Sequence, residues 1–88
     1  MNPVMWYDLT IGSIYILKLL YSANNANIDY WVGIWLGNEI NMLGDVEFYF
    51  FIEGEKRWVI FDDKNDLFFP DTDEYFICYD VEDYCNNN

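Results

Sequence analysis

Short runs of apolar and aromatic residues alternate with short polar breaks along most of the chain. Val46-Glu47-Phe48-Tyr49-Phe50-Phe51-Ile52-Glu53 alternates imperfectly and is rich in rings, the pattern of a sheet-forming segment. Gly54 follows, then Lys56-Arg57-Trp58-Val59-Ile60-Phe61. Two such runs joined by a short glycine-containing turn predict a β-hairpin. Asp62-Asp63-Lys64-Asn65-Asp66 reads as an exposed turn. Glu74-Tyr75-Phe76-Ile77-Cys78-Tyr79 predicts a further strand, entered from a turn at Pro70-Asp71-Thr72-Asp73.

Upstream, Tyr30 to Gly37 predicts a strand with Gly33 at a bulge or a close packing point. Asn24-Asn25-Ala26-Asn27 predicts a loop. Gly12 to Tyr21 supports two readings. Ser13 as an N-cap and the spacing of Leu17, Leu20 and Tyr21 fit a helix, whereas Ile14, Tyr15 and Ile16 favour a strand. A turn over Leu9-Thr10-Ile11-Gly12 leads into either. With the strand, the chain holds five to six strands at short spacing. The expected fold is then all-β, a small bent antiparallel sheet or barrel. The alternative is an α+β domain with one helix near residues 13–22.

Length restricts this to one small domain, expected over residues 1–85 with a disordered tail at 86–88. The apolar share is 53% and the aromatic share 22%, so a packed core is within reach. Charge changes the picture more. Sixteen acidic residues face four basic ones and no histidine, for a net charge of −12. A disordered acidic tail would lack the aromatic residues, and a nucleic-acid binder would need a basic stripe. Residues 45–88 carry thirteen of the acidic residues, so the second half holds the field and the first half reads as scaffold.

No catalytic, cofactor or metal motif stands out, and the expectation is a non-enzyme without cofactor. From Asp62, an EF-hand pattern would place Lys64, Leu67 and Asp73 at positions three, six and twelve, where an oxygen ligand, glycine and glutamate belong. Two cysteines without histidine cannot make the usual zinc set or the common activated thiol. Sixteen carboxylates contain pairs at glycosidase spacing by number alone. A disulfide between Cys78 and Cys85 is possible but not implied. The start, Met1-Asn2-Pro3-Val4, lacks a positive n-region, and Ile11 to Tyr21 is too short to span a bilayer. A cytoplasmic protein is expected, in the host cytoplasm if phage-encoded.

The charge exceeds the magnitude of about 2–8 that keeps a small domain soluble, and self-repulsion costs stability. A partner should therefore use it. In extended chain, side chains at i and i+2 share a face. That spacing applies to Glu53 with Glu55, Asp71 with Asp73, and Asp80 with Glu82. Carboxylates so placed can fill Lys and Arg sites built for a nucleic-acid backbone. The expected partner-binding residues are Glu53, Glu55, Asp62, Asp63, Asp66, Asp71, Asp73, Glu74, Asp80, Glu82 and Asp83. Neighbouring rings such as Phe48, Tyr49, Phe50 and Phe51 divide between core and contact.

In small size, strong negative charge and absence of a catalytic motif, the chain resembles as a class the acidic inhibitors that phages and mobile elements direct at nucleic-acid enzymes. These include anti-CRISPR proteins and anti-restriction DNA mimics. The resemblance lies in bulk properties and aligns no residues. It implies a basic protein partner, such as a nuclease or another nucleic-acid-binding effector, with no direct nucleic-acid or membrane contact. The inhibitor itself would be a monomer or homodimer. Two further readings stand beside it: an immunity protein neutralising a basic toxin, and a structural or assembly protein forming a homo-oligomer.

Overall fold

A computed structural model describes residues 2–23 and 28–86. They form a closed antiparallel barrel of six strands, each paired with its neighbours in sequence, with β1 (Ile14–Ser22) closing on β6 (Glu74–Asp80). Between these run β2 (Tyr30–Ile40), β3 (Val46–Ile52), β4 (Glu55–Phe61) and β5 (Leu67–Phe69). A 3-10 turn at Trp6–Asp8 precedes the barrel, and a short helix, α1 (Val81–Asn86), follows it.

The all-β reading and the hairpin at Gly54 are both present. The helix alternative near residues 13–22 is not: this segment pairs with β2 on one side and β6 on the other. The apparent helical face of Leu17, Leu20 and Tyr21 is divided by the strand, which buries Leu17 and exposes the other two. Asn86 ends α1; residues 87–88 of the expected tail, like the expected loop at 24–27, lie outside the described residues.

Period-two alternation builds the core. Tyr15 and Leu17, Trp35, Phe50 and Ile52, Val59, Leu67 and Phe69, and Phe76 and Cys78 all point inward. So narrow a barrel needs one position without a side chain. A Cβ on Gly33 would lie 3.1 Å from Phe50 Cδ1 and 3.2 Å from Ile52 Cγ1, so this glycine is a close packing point. The bulge falls later, between Trp35 and Gly37, and helps the sheet curl.

β5 has no sequence counterpart in the reading above. Three residues after an acidic loop are too short to show a period, yet they bridge the ends of β4 and β6 and close the barrel. Beyond β5, the Val4 N–H donates to the Cys78 carbonyl at 2.8 Å, so the N-terminal segment continues along β6. No helix among the described residues is long and apolar enough to cross a membrane, which says nothing of strands.

Candidate functional site

Two loops dominate the rim where β1 begins. One, residues 41–45, joins β2 to β3; the other, residues 62–66, joins β4 to β5. Both are built alike. Asn41 N–H donates to Asp45 O at 2.8 Å and Gly44 N–H to Asn41 O at 3.0 Å; Asp62 N–H donates to Asp66 O and Asn65 N–H to Asp62 O, each at 3.0 Å. The first side chain of each loop accepts two further backbone bonds. Asn41 Oδ1 takes the N–H groups of Leu43 and Asp45, and Asp62 Oδ1 those of Lys64 and Asp66. The fourth residue is left-handed in both, Gly44 at φ 87 and Asn65 at φ 66, the residue types that tolerate it.

Asn65 does more than turn the chain. Its Oδ1 accepts from Trp6 N–H at 2.9 Å and its Nδ2 donates to Val4 O at 3.0 Å. It is nearly buried and ties the N-terminal segment to the acidic loop. Trp6 is thereby held against Phe48 and Phe61, with ring centroids 5.9 and 6.2 Å away.

Between the two loops the barrel wall splits. β3 and β4 stay paired up to Phe48 opposite Val59. Past that point Val46 and Glu47 remain with β2, while Ile60 and Phe61 turn to β5. The seam opens a groove of about 770 Å³ lined by Trp6, Phe48, Trp58 and Ile60, with Asp45 and Glu47 on one bank and Asp62 and Asp63 on the other. No lysine or arginine lines it. On its far side the 62–66 loop, with three acidic residues and Lys64, borders a smaller hollow of about 350 Å³ lined also by Leu20, Tyr21 and Tyr75. The loop is therefore an anionic ridge with aromatic residues on both flanks.

The other expected contact residues divide among separate places. Asp80, Glu82 and Asp83 border a shallow groove of about 1000 Å³ with Thr10 and Ser13 on the same rim. Glu53 and Glu55 flank the β3–β4 turn, and Asp71 and Asp73 the β5–β6 turn, both on the opposite rim. Glu74 is buried and cannot meet a partner. The i, i+2 pairs expected on extended chain are not realised. Glu53 and Asp73 are left-handed, at φ 52 and 55, and Glu82 lies in α1. In each pair one residue thus departs from the extended backbone that a common face requires.

Asp45, Glu47, Trp6 and Trp58 were absent from the expected set. Alternating acid and ring in Asp45-Val46-Glu47-Phe48 is a visible signal, but its meeting with Asp62 and Asp63 is a long-range event of the closed sheet.

Few cations oppose these acids. Lys56 binds both Glu39 carboxylate oxygens at 2.6 Å and lies 4.3 Å over Tyr49; its ammonium is held above the usual range, chiefly by the Glu39 hydrogen bond. Arg57 turns inward, 4.9 Å over Trp31 and 5.7 Å over Phe69, with Nη2 donating to Thr72 at 3.3 Å. On the ridge, partial burial and then the neighbouring Asp62 push the Asp66 carboxyl above its ordinary value. Burial, reinforced by Asp80, pushes the Cys78 thiol up to about 12, so it is inert at neutral pH. Cys85 is exposed on α1, and both thiols are free. No group of three or more Cys, Asp and Glu among the described residues is arranged to hold a metal ion.

Comparison of the chain with protein-family models, curated proteins and solved structures gave no match. What the surface offers chemically is fixed negative charge beside rings, a combination that receives cations.

Proposed function

We propose that this chain is a small acidic inhibitory binding protein that occupies a basic, nucleic-acid-binding surface of another protein, such as a defence nuclease. One observation carries the reading: the hydrogen-bonded 62–66 loop holds its acidic residues between two hollows with aromatic walls. Backbone order in such a loop lowers the entropy lost on docking, and the rings supply apolar area that charge alone lacks. Compartment follows from the target, and a cytoplasmic nuclease would place the inhibitor there.

The test is capture of a basic protein on the immobilised chain at about 50 mM and about 200 mM salt, followed by competition with duplex DNA. Binding should weaken steeply with salt, and DNA should displace the chain from its target. Capture that is insensitive to both overturns the reading.

A second reading rests on a different wall. β1 and the first nine residues of β2 contain no acidic residue, and Ile14, Val32 and Leu36 are exposed there, with Phe51 on adjacent β3. An apolar wall whose own strand segments lack carboxylates, bordered at Ile14 by Asp80, Glu82 and Asp83, is where copies of so acidic a chain would meet. A monomeric mass by light scattering at high concentration removes this reading.

A further inference from the structure

We infer that the groove between the 41–45 and 62–66 loops is a socket for an arginine side chain of a basic partner segment, an inference that rests on the proposed function and names the contact it uses. The cleft exists because β3 and β4 part company at this rim, and Trp6 is clamped along it by Asn65. Its lining supplies rings from Trp6 and Trp58, and its banks carry Asp45 and Glu47 opposite Asp62 and Asp63.

Elsewhere in the molecule a ring and a carboxylate together hold a cation. Lys56 sits 4.3 Å over Tyr49 while both oxygens of Glu39 bind it. The groove repeats ring plus carboxylate with no lysine or arginine among its lining residues. Arginine fits better than lysine, because a planar guanidinium stacks on an indole and still offers donors in a fork to carboxylates on either side. The volume of about 770 Å³ holds such a side chain together with part of the peptide that carries it. A second copy of this chain is a poor occupant, since Arg57, its single arginine, is turned into the barrel.

Titration of the ¹⁵N-labelled full chain with acetyl-tetra-arginine amide tests the assignment through the four tryptophan indole signals. Trp6 and Trp58 should shift saturably while Trp31 and Trp35 stay in place, and tetra-lysine should bind more weakly. Asp45→Asn with Glu47→Gln and Asp63→Asn should weaken binding about tenfold, and the exposed change Asp63→Asn alone about twofold. Glu82→Gln with Asp71→Asn, outside the groove, should change it by less than about twofold.

An unmoved Trp58 indole at peptide excess overturns the socket. So does an equal loss from the Glu82 and Asp71 changes, which would assign binding to the general field. Shifts of Trp58 with protein concentration alone would assign the groove to a second copy and likewise overturn it. Salt-sensitive capture of a basic protein surviving any of these outcomes leaves the proposed function standing. A socket that binds the peptide while no basic protein is captured removes that function alone.

Discussion

The loops at 41–45 and 62–66 share one backbone design and display opposite chemistry. An Asn or Asp side chain caps the turn in each, a left-handed residue follows two positions after the tip begins, and the same four hydrogen bonds close the loop. Yet one tip is Met42-Leu43, almost fully exposed, and the other is Asp63-Lys64. Geometry dictates the first and fourth positions and leaves the two tip residues unconstrained by the turn. The tip pair Asp63-Lys64 carries no net charge by itself; the acidity of this loop comes from Asp62 and Asp66 on either side of it, whereas the other loop adds only Asp45 to its apolar tip.

The comparison breaks most sharply at the fourth position. Gly44 has open space where a Cβ would go, so Gly44→Ala meets only the left-handed backbone and should cost about 1–2 kcal/mol. Asn65→Ala meets the same backbone and also strands Trp6 N–H and Val4 O, so it should cost about 2–4 kcal/mol. Urea unfolding of the two variants measures the difference. Equal losses would show that the N-terminal segment does not depend on Asn65.

Next in size are the caps. Asp62→Ala and Asn41→Ala each remove an acceptor of two backbone N–H groups, and each should cost about 1 kcal/mol in the same assay. Asp62→Asn keeps the accepting oxygen and should restore most of the loss. If it does not, the charge of Asp62 rather than its geometry orders the loop.

A smaller effect separates the loops by pH. The folded state holds Asp66 above its ordinary value of 3.8, so it binds this proton more tightly than the unfolded chain does. The resulting stability is fully present below the unfolded value and is lost as pH rises through the raised folded one. Asp66→Asn has no such proton. Its melting temperature should gain on the parent through the weakly acidic range and keep that gain at neutral pH. A parent and Asp66→Asn pair that melt in parallel across this range would contradict the sign.

The smallest change is expected at the apolar tip. Met42→Ser with Leu43→Ser should alter stability by less than about 0.5 kcal/mol, because neither side chain is packed. A larger loss on thermal unfolding would mean that the exposed tip stabilises the fold.

Much of the barrel was legible in the residues. Ring-rich alternation in Val46–Ile52 and the β-branched Ile14 and Ile16 lean towards strand, the latter settled only by pairing with β2 and β6, and glycine or Asn/Asp at the breaks favours turns. The concentration of acid in the second half was legible too. β5 was not, since Leu67-Phe68-Phe69 has too few residues to show a period and becomes a strand only through its neighbours. Nor was α1, where Val81 to Asn86 follows a strand with no apolar stripe to announce a helix.

By itself, then, the sequence determined a small ring-packed sheet with a surplus of carboxylates, because propensity, alternation and charge are local or additive properties. Which carboxylates share a surface was decided only by the closed barrel. Asp45 and Asp63 lie on opposite banks of one groove because β3 and β4 separate there, whereas Glu74, acidic like the rest, is buried inside. Neither outcome is encoded near the residue concerned, since both depend on strand pairings made across long separations in the chain.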